Sequence, residues 1–283
     1  MNYKKLIEEV PNLDFYFDKL LKIKLSYRFR NEKNKPLLLL LHGFNGNSKS
    51  WASQFKYFKD KRSILAIDFP GFGGSDFIDI DMVVIAKILR RCLMSLNVSC
   101  CDVLGHSMGG MLAQIFSSEN HDLVNKVILS CTHKGFGCPK GKPLMDNYSS
   151  RLQERIEMNN RDFGDLRIKE MLPELQNEEV FKFLSSISGE INENSIMCGG
   201  MAMQTLDTSK YLLNLKQDCL ILKASKDVVV SKERSDELEK LIPHAKVKEL
   251  QNVGHAPYCE DSASFNIAIE AFLDKVLPDC MVK

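Results

Sequence analysis

Val103-Leu104-Gly105-His106-Ser107-Met108-Gly109-Gly110 is the stretch on which the reading of this chain turns. An apolar pair leads to a serine with glycine two places away on either side, and Met111 to Phe116 beyond it suits a helix. The spacing has a steric origin. A serine held at a sharp strand-to-helix turn takes a strained backbone, and strand and helix pass so close together that the flanking positions must be small. Such a turn pushes the Ser107 hydroxyl out of the chain. It also sets the serine at a helix N-terminus, where first-turn N–H groups and the helix dipole favour a developing negative charge. The five-residue pattern also arises by chance as an ordinary small-residue turn, so its surroundings decide between the two.

Upstream, Ile85, Ile88, Leu89, Cys92 and Leu96 recur at helical spacing and predict a helix from about Asp81 to Asn97 leading into the strand before Ser107. Leu37 to Leu41 and Ser63 to Ile67 are short continuous apolar runs, the pattern of strands covered on both faces of a parallel sheet, with a helical segment from Ser50 to Phe58 between them. The first run ends in His42-Gly43-Phe44-Asn45-Gly46 and the second in Asp68-Phe69-Pro70-Gly71-Phe72-Gly73-Gly74-Ser75-Asp76, both glycine-rich. Lys22 to Arg30 alternates apolar and polar residues, which predicts a half-buried strand near a sheet edge.

Downstream, Lys126 to Ser130 is one more buried strand. From His133 to about Lys210 the alternation stops; amphipathic runs broken by Pro139, Pro143 and Pro173 predict a helical insertion. Strands resume at Cys219 to Leu222 and Ala245 to Leu250, and a last helix carries Phe265, Ala268, Phe272 and Val276.

Repeated strand–helix units imply a doubly wound, mostly parallel sheet, whose ligands bind at the carboxyl ends of the strands. Ser107, Asp227 and His255 each follow a predicted strand, so such a sheet would gather them despite their separation in sequence. Ser107 needs a base to take its proton, and the imidazole of His255 suits that task near neutral pH; Asp227 would fix its tautomer and stabilise the imidazolium. A tetrahedral intermediate also needs donors for its oxyanion. The N–H of Met108, next to the serine, and that of Phe44, after His42-Gly43, are the expected pair. The chain divides on this reading into a core of residues 1–132 and 211–283 and an inserted cap of 133–210.

Composition narrows the partners. With 283 residues and 44% hydrophobic content, the chain can bury one large core with an inserted subdomain. Lys plus Arg (38) balances Asp plus Glu (37), which gives no bulk electrostatic argument for nucleic acid or an anionic membrane. A small-molecule substrate fits better. The longest aliphatic run, Leu37 to Leu41, is too short for a membrane span, and Met1 to Glu9 lacks the apolar core of a signal peptide, so a cytoplasmic location is expected. Nine cysteines without a C-x-x-C pair argue against a zinc site and against a disulfide framework, and no metal is expected.

Taken together, His42-Gly43-Phe44, Asp68 to Ser75, Gly105 to Gly110, Asp227 and Gly254-His255 make the chain, from about Lys22 onward, resemble the α/β-hydrolases. The resemblance implies an α/β-hydrolase fold with a helical cap between the sixth and seventh core strands. It further implies a Ser-His-Asp hydrolase similar to carboxylesterases, enol-lactonases and acyl-carrier-protein methyl ester esterases, working without a cofactor. In haloalkane dehalogenases and epoxide hydrolases an aspartate stands where this chain has Ser107. Prolyl aminopeptidase relatives usually show Gly-Gly-Ser-Trp-Gly, and carbon–carbon bond hydrolases typically have Asn where His106 stands. The leading expectation is hydrolysis of a small or medium carboxylic ester through an acyl-enzyme. An enol-lactonase or C–C hydrolase with the same triad, a methyl esterase acting on a carrier-bound substrate, and a non-catalytic receptor on the same fold are the alternatives.

The pocket is expected to involve Asn45, His106, Met145 and Met201. The cap is rich in methionine, also at Met158, Met171, Met197 and Met203, and flexible thioethers suit varied apolar acyl groups. Arg151 and Arg155, four apart on one predicted helix with Arg161, Arg167 and Lys169 beyond, suggest a basic surface for an acidic acyl carrier protein; the interleaved Glu154, Glu157, Asp162 and Asp165 fit an ordinary solvated face as well.

Overall fold

The computed structural model describes residues 3–79 and 81–274. Its sheet contains β1 (Leu13–Asp18), β2 (Ile23–Arg30), β3 (Leu37–Leu41), β4 (Ser63–Ile67), β5 (Cys101–His106), β6 (Val124–Ser130), β7 (Asp218–Ala224) and β8 (Lys246–Leu250). The spatial order is β1-β2-β4-β3-β5-β6-β7-β8. β1 and β2 join antiparallel; every pair from β4 onward is parallel. This is the α/β-hydrolase fold.

β3 shows why an uninterrupted leucine run belongs in the middle of such a sheet. Leu37, Leu39 and Leu41 enter the core on one face while Leu38 and Leu40 enter the core on the other, all fully buried. Each full burial is worth about 1.5–3 kcal/mol. The first face is closed by α3 (Met82–Ser95) and α4 (Met108–Glu119), the second by α2 (Ala52–Tyr57) and α12 (Ser262–Leu273). Val276, expected on the last helix, lies outside the described residues.

The half-buried strand predicted at Lys22–Arg30 is β2, but β1 takes the edge outside it, pairing Leu13 with Arg28 through Asp18 with Ile23. Cys92, Cys101, Cys131, Cys219 and Cys259 are buried free thiols, whereas Cys100 is disulfide-bonded.

Between β6 and β7 the chain leaves the sheet and forms α5 (Asp146–Glu157), α6 (Asn160–Met171), α7 (Glu178–Ser188), α8 (Glu193–Thr205) and α9 (Ser209–Leu212). Asn159, Asn177 and Asn192 cap α6, α7 and α8 with their side-chain oxygens, which is why short polar breaks suffice to separate these helices. Gly164 and Gly189 let α6 and the end of α7 touch backbone to backbone; a Cβ at either would lie 2.1–2.2 Å from a carbonyl oxygen. The helices are tied down where Asn192 Nδ2 and Ser195 Oγ both donate to the Gly71 carbonyl, at 3.1 and 2.6 Å. Among the described residues no helix is long and apolar enough to cross a membrane.

Candidate active site

The elbow is as tight as its spacing predicts. Ser107 sits at φ 51°, ψ −117°, a left-handed conformation that costs a residue with a side chain on the order of 1–3 kcal/mol. A Cβ on Gly105 would come within 2.3 Å of the Gly109 oxygen, one on Gly109 within 2.2 Å of the Leu41 oxygen, and one on Gly110 within 2.6 Å of Thr132. All three glycines are therefore demanded by close approach between β3, β5, α4 and the strand exit at Thr132. Thr132 Oγ1 then donates to the Ser107 carbonyl at 2.6 Å, fixing the turn from its far side.

Two further loops reach Ser107. After β7, Asp227 accepts from the N–H groups of Val229 and Val230 at 2.8 and 2.9 Å. After β8, His255 turns its Nδ1 to Asp227 Oδ1 and Oδ2, at 3.0 and 2.9 Å, and its Nε2 to Ser107 Oγ, at 3.1 Å. Because the carboxylate faces Nδ1, that nitrogen carries the proton and Nε2 is left to accept from the serine hydroxyl. Burial opposes ionisation of Asp227, yet the His255 ring and the two N–H groups outweigh it and hold the carboxyl below the usual aspartate value.

The His255 loop is held by a residue the motifs did not indicate. Glu260, at the end of α11 (Pro257–Glu260), accepts from the N–H groups of Gly254 and Ala256, both at 2.9 Å, and so clamps the backbone on either side of the imidazole. Cys131 also approaches: its thiol, Asp227 and His255 offer atoms within 4.8 Å of one another. Asp227 already spends its oxygens on the imidazole and two amides, and burial raises the Cys131 thiol well above its ordinary value, so this group is a hydrogen-bonded row more than an open ligand set.

On the β3 side, His42 Nε2 accepts from the Phe69 N–H at 3.1 Å while Nδ1 lies 2.8 Å from the Gly43 carbonyl, which assigns the proton to Nδ1. Its ring stacks on Phe69 at 4.3 Å. Asp68 in turn accepts from Ser26 Oγ and the Ser48 N–H, both at 2.5 Å. The His42-Gly43-Phe44 loop is thereby locked, and Gly43 abuts the serine: a Cβ there would lie 3.3 Å from Ser107 Cβ. Met108 opens α4, so its N–H is one of the first-turn amides without an intrahelical carbonyl.

Ser107 and His255 open into a cavity of about 220 Å³. Asn45 and His106 line it. His106 is buried, packed against the rings of His255 and Tyr258 at 4.9 Å each; burial and the neighbouring His255 push its pKa well down, so it is neutral. Met145 and Met201 are corrections: neither lines the cavity, whereas Met111, Met171 and Met203 do. Met145 stands just before α5, and its side chain packs against the hydrophobic core. Met201 stands two positions before Met203 on α8, roughly 200° round the helix.

The basic set expected across the cap surface is a second correction. Arg151 lines the cavity with its guanidinium 5.2 Å from the Phe44 ring centre. Arg167 is buried and held by Glu154 and, at 3.0 Å, by Glu170. Two of the five cations are thus turned inward by the helix packing that buries Phe163 and Tyr148.

Comparison with known proteins agrees with this architecture. Epoxide hydrolase 3 of Xenopus tropicalis is 37% identical over 111 residues, 38% of this chain and 30% of the relative, so the match spans less than a third of that protein. A hydrolase from Pseudomonas aeruginosa PA01 superposes with TM-score 0.82 at 19% identity, covering 93% of this chain and 98% of the other. The enol-lactonase from Burkholderia xenovorans LB400 superposes with TM-score 0.81 at 17% identity, covering 93% and 100%. The structural likenesses show the fold. Residues 36–262 match the family model described as the alpha/beta hydrolase fold, and with the sheet order and the elbow in place, the chain belongs to that family.

Proposed function

We propose that this protein is a serine hydrolase that cleaves a small or medium carboxylic ester through an acyl-enzyme on Ser107. The observation that carries this reading is the unbroken row Asp227–His255–Ser107, with contacts of 2.9–3.1 Å, at the base of a cavity. In this reading His255 Nε2 takes the Ser107 proton as Oγ attacks the ester carbonyl, and returns it to the leaving alcohol oxygen. Water then repeats the sequence on the acyl-enzyme and frees the acid. The N–H groups of Phe44 and Met108 receive the oxyanion. Residues 133–210 act as a lid on the core formed by 1–132 and 211–283.

Part of the sequence likeness is to epoxide hydrolases, but the nucleophile's chemistry favours carbonyl substrates. A hydroxyl that opens an epoxide leaves an ether on the protein, which water does not readily cleave; the same hydroxyl on an ester leaves an ester, which it does. The test is labelling by a fluorophosphonate, expected for the wild type and lost in Ser107→Ala, alongside turnover of aryl esters, lactones and epoxides. Folded protein that takes no label and turns over no ester overturns the reading.

A further inference from the structure

The cavity contains a cation that the chain itself does not neutralise. Arg151 projects from α5 over the Phe44 ring; its Nε is buried without an acceptor, and among the described residues it enters no hydrogen bond or ion pair. Arg155 on α5 and Arg167 on α6 share the buried, unpaired Nε but spend their terminal nitrogens within the chain. Arg167 also faces the cavity, yet Glu154 and Glu170 hold it. Arg155, one turn further along α5, packs 5.3 Å from the Phe163 ring and donates to the Met158 carbonyl at 3.2 Å and Asn160 Oδ1 at 2.6 Å. The two acids close enough to influence Arg151, Glu154 and Glu170, are the ones already committed to Arg167. Burial pulls the Arg151 guanidinium down to about 10, which still leaves it charged at neutral pH.

Holding an unpaired guanidinium on a half-buried cavity wall, with its Nε shut off from water, costs free energy that a ligand completing the pair would recover. The place of the cation specifies that ligand. Gly43 abuts Ser107, Phe44 follows it, and Tyr148 and Arg151 of α5 line the same cavity, so a molecule whose carbonyl lies at the serine can extend its other end toward α5. The planar guanidinium fork matches a carboxylate in two parallel hydrogen bonds, and the aromatic ring behind it holds the fork in plane. We infer that the substrate carries a carboxylate on the part remote from the scissile ester, and that Arg151 is the residue that selects it. The inference rests on the proposal that Ser107 is the nucleophile.

The test uses two probes of equal length, p-nitrophenyl hydrogen adipate and the p-nitrophenyl ester of adipic acid monoamide, which differ in one terminal charge. The wild type is expected to favour the acid probe at least tenfold in kcat/KM. Arg151→Gln should lower kcat/KM for the acid probe at least tenfold more than for the amide probe, chiefly through KM. Arg151→Lys should restore part of the preference, and Arg155→Gln should leave the ratio where it was. Equal use of both probes by the wild type, or a loss in Arg151→Gln that falls equally on both, overturns the inference. If neither probe is hydrolysed and the fluorophosphonate does not label the protein, the ester-hydrolase reading fails, and in either case calorimetric titration of adipate against adipamide decides the anion site separately. Adipate binding to the wild type that disappears in Arg151→Gln supports it; no binding of adipate to the wild type refutes it.

Discussion

The rim of the sheet and the helices above it place their side chains by different rules. At the rim, Ser107, Asp227 and His255 each stand within five residues of a strand's carboxyl end, and the parallel register of β5 to β8 carries those ends to one side of the sheet. Knowing where the strands stop is enough to know that the three residues meet. In the cap, position depends on helical phase and on how far along a helix a residue lies. Two residues separate Met203, in the cavity, from Met201, outside it; one turn, about 5.4 Å, separates Arg151 over Phe44 from Arg155 over Phe163. Strand ends tolerate an error of a residue or two, whereas an error of one residue in a helix turns a side chain by roughly 100°.

The largest expected effects therefore fall at the rim. Ser107→Ala or His255→Ala should lower kcat/KM on a good aryl ester by about 10⁴-fold or more with the melting temperature little changed, as removal of one member of a cooperating set does. A loss of less than tenfold in either variant would break the claim that the row acts as a unit. Next in size is the elbow's steric limit. Alanine favours a helix over glycine by up to ~1 kcal/mol, so the sign of a Gly→Ala change reports what the new methyl meets. At Gly109 it meets the Leu41 carbonyl at 2.2 Å, in backbone that cannot yield, and a cost of about 4 kcal/mol or failure to fold is expected. At Gly199 in the cap it meets the edge of the buried Phe44 ring at 2.6 Å, a side chain packed on Phe72 and Tyr148 that has to shift; the cost by urea unfolding should be about 1–2 kcal/mol, below that at Gly109. Equal costs at the two sites would erase the contrast between a rigid rim and an adjustable cap.

The same contrast marks which parts of the fold were legible in the sequence. The buried strands announced themselves because a strand covered on both faces has no polar residue to confuse its period. β1 did not, because two of its three aromatic residues point outward: Phe15 and Phe17 are 44% and 55% exposed, and the inward face carries only Tyr16 between Asp14 and the buried Asp18, so Leu13 to Asp18 has no inward apolar set to read. Glu260 was invisible for another reason. Its partners are backbone amides at Gly254 and Ala256, and no residue type signals that an amide needs an acceptor. Arg151 was misplaced because charge usually faces water; only the packing of Tyr148 and Phe163 settles which side of α5 turns inward.

His133, three residues past β6 and on the cavity wall, stands at the junction of rim and cap. Burial lowers its pKa to about 4, against about 6.5 for an unfolded histidine. The unfolded chain therefore takes up this proton as pH falls through 6.5, while the folded chain refuses it until about 4. The penalty on folding is absent above pH 7, grows below 6.5, and at 4 amounts to roughly 3 kcal/mol. Urea unfolding of His133→Gln should show a stability, relative to wild type, that improves by about that amount between pH 7 and 4. A difference that stays flat with pH would mean the ring is wetter than its surroundings in the structure allow.

The smallest effect asked for is also the most direct trial of helical phase. Met203 is 5% exposed and lines the cavity, whereas Met201 is half-buried and does not. Truncating a buried methionine removes contacts and leaves space, so Met203→Ala should cost about 2 kcal/mol and shift acyl preference toward longer chains by several-fold in kcat/KM. Met201→Ala should cost about 0.5 kcal/mol and leave the chain-length profile of the wild type. Both variants alter the same helix by the same number of atoms, so propensity and composition cancel between them. Only the direction in which each side chain points remains, and a profile shifted as much by Met201→Ala as by Met203→Ala would show that α8 is turned otherwise than the structure has it.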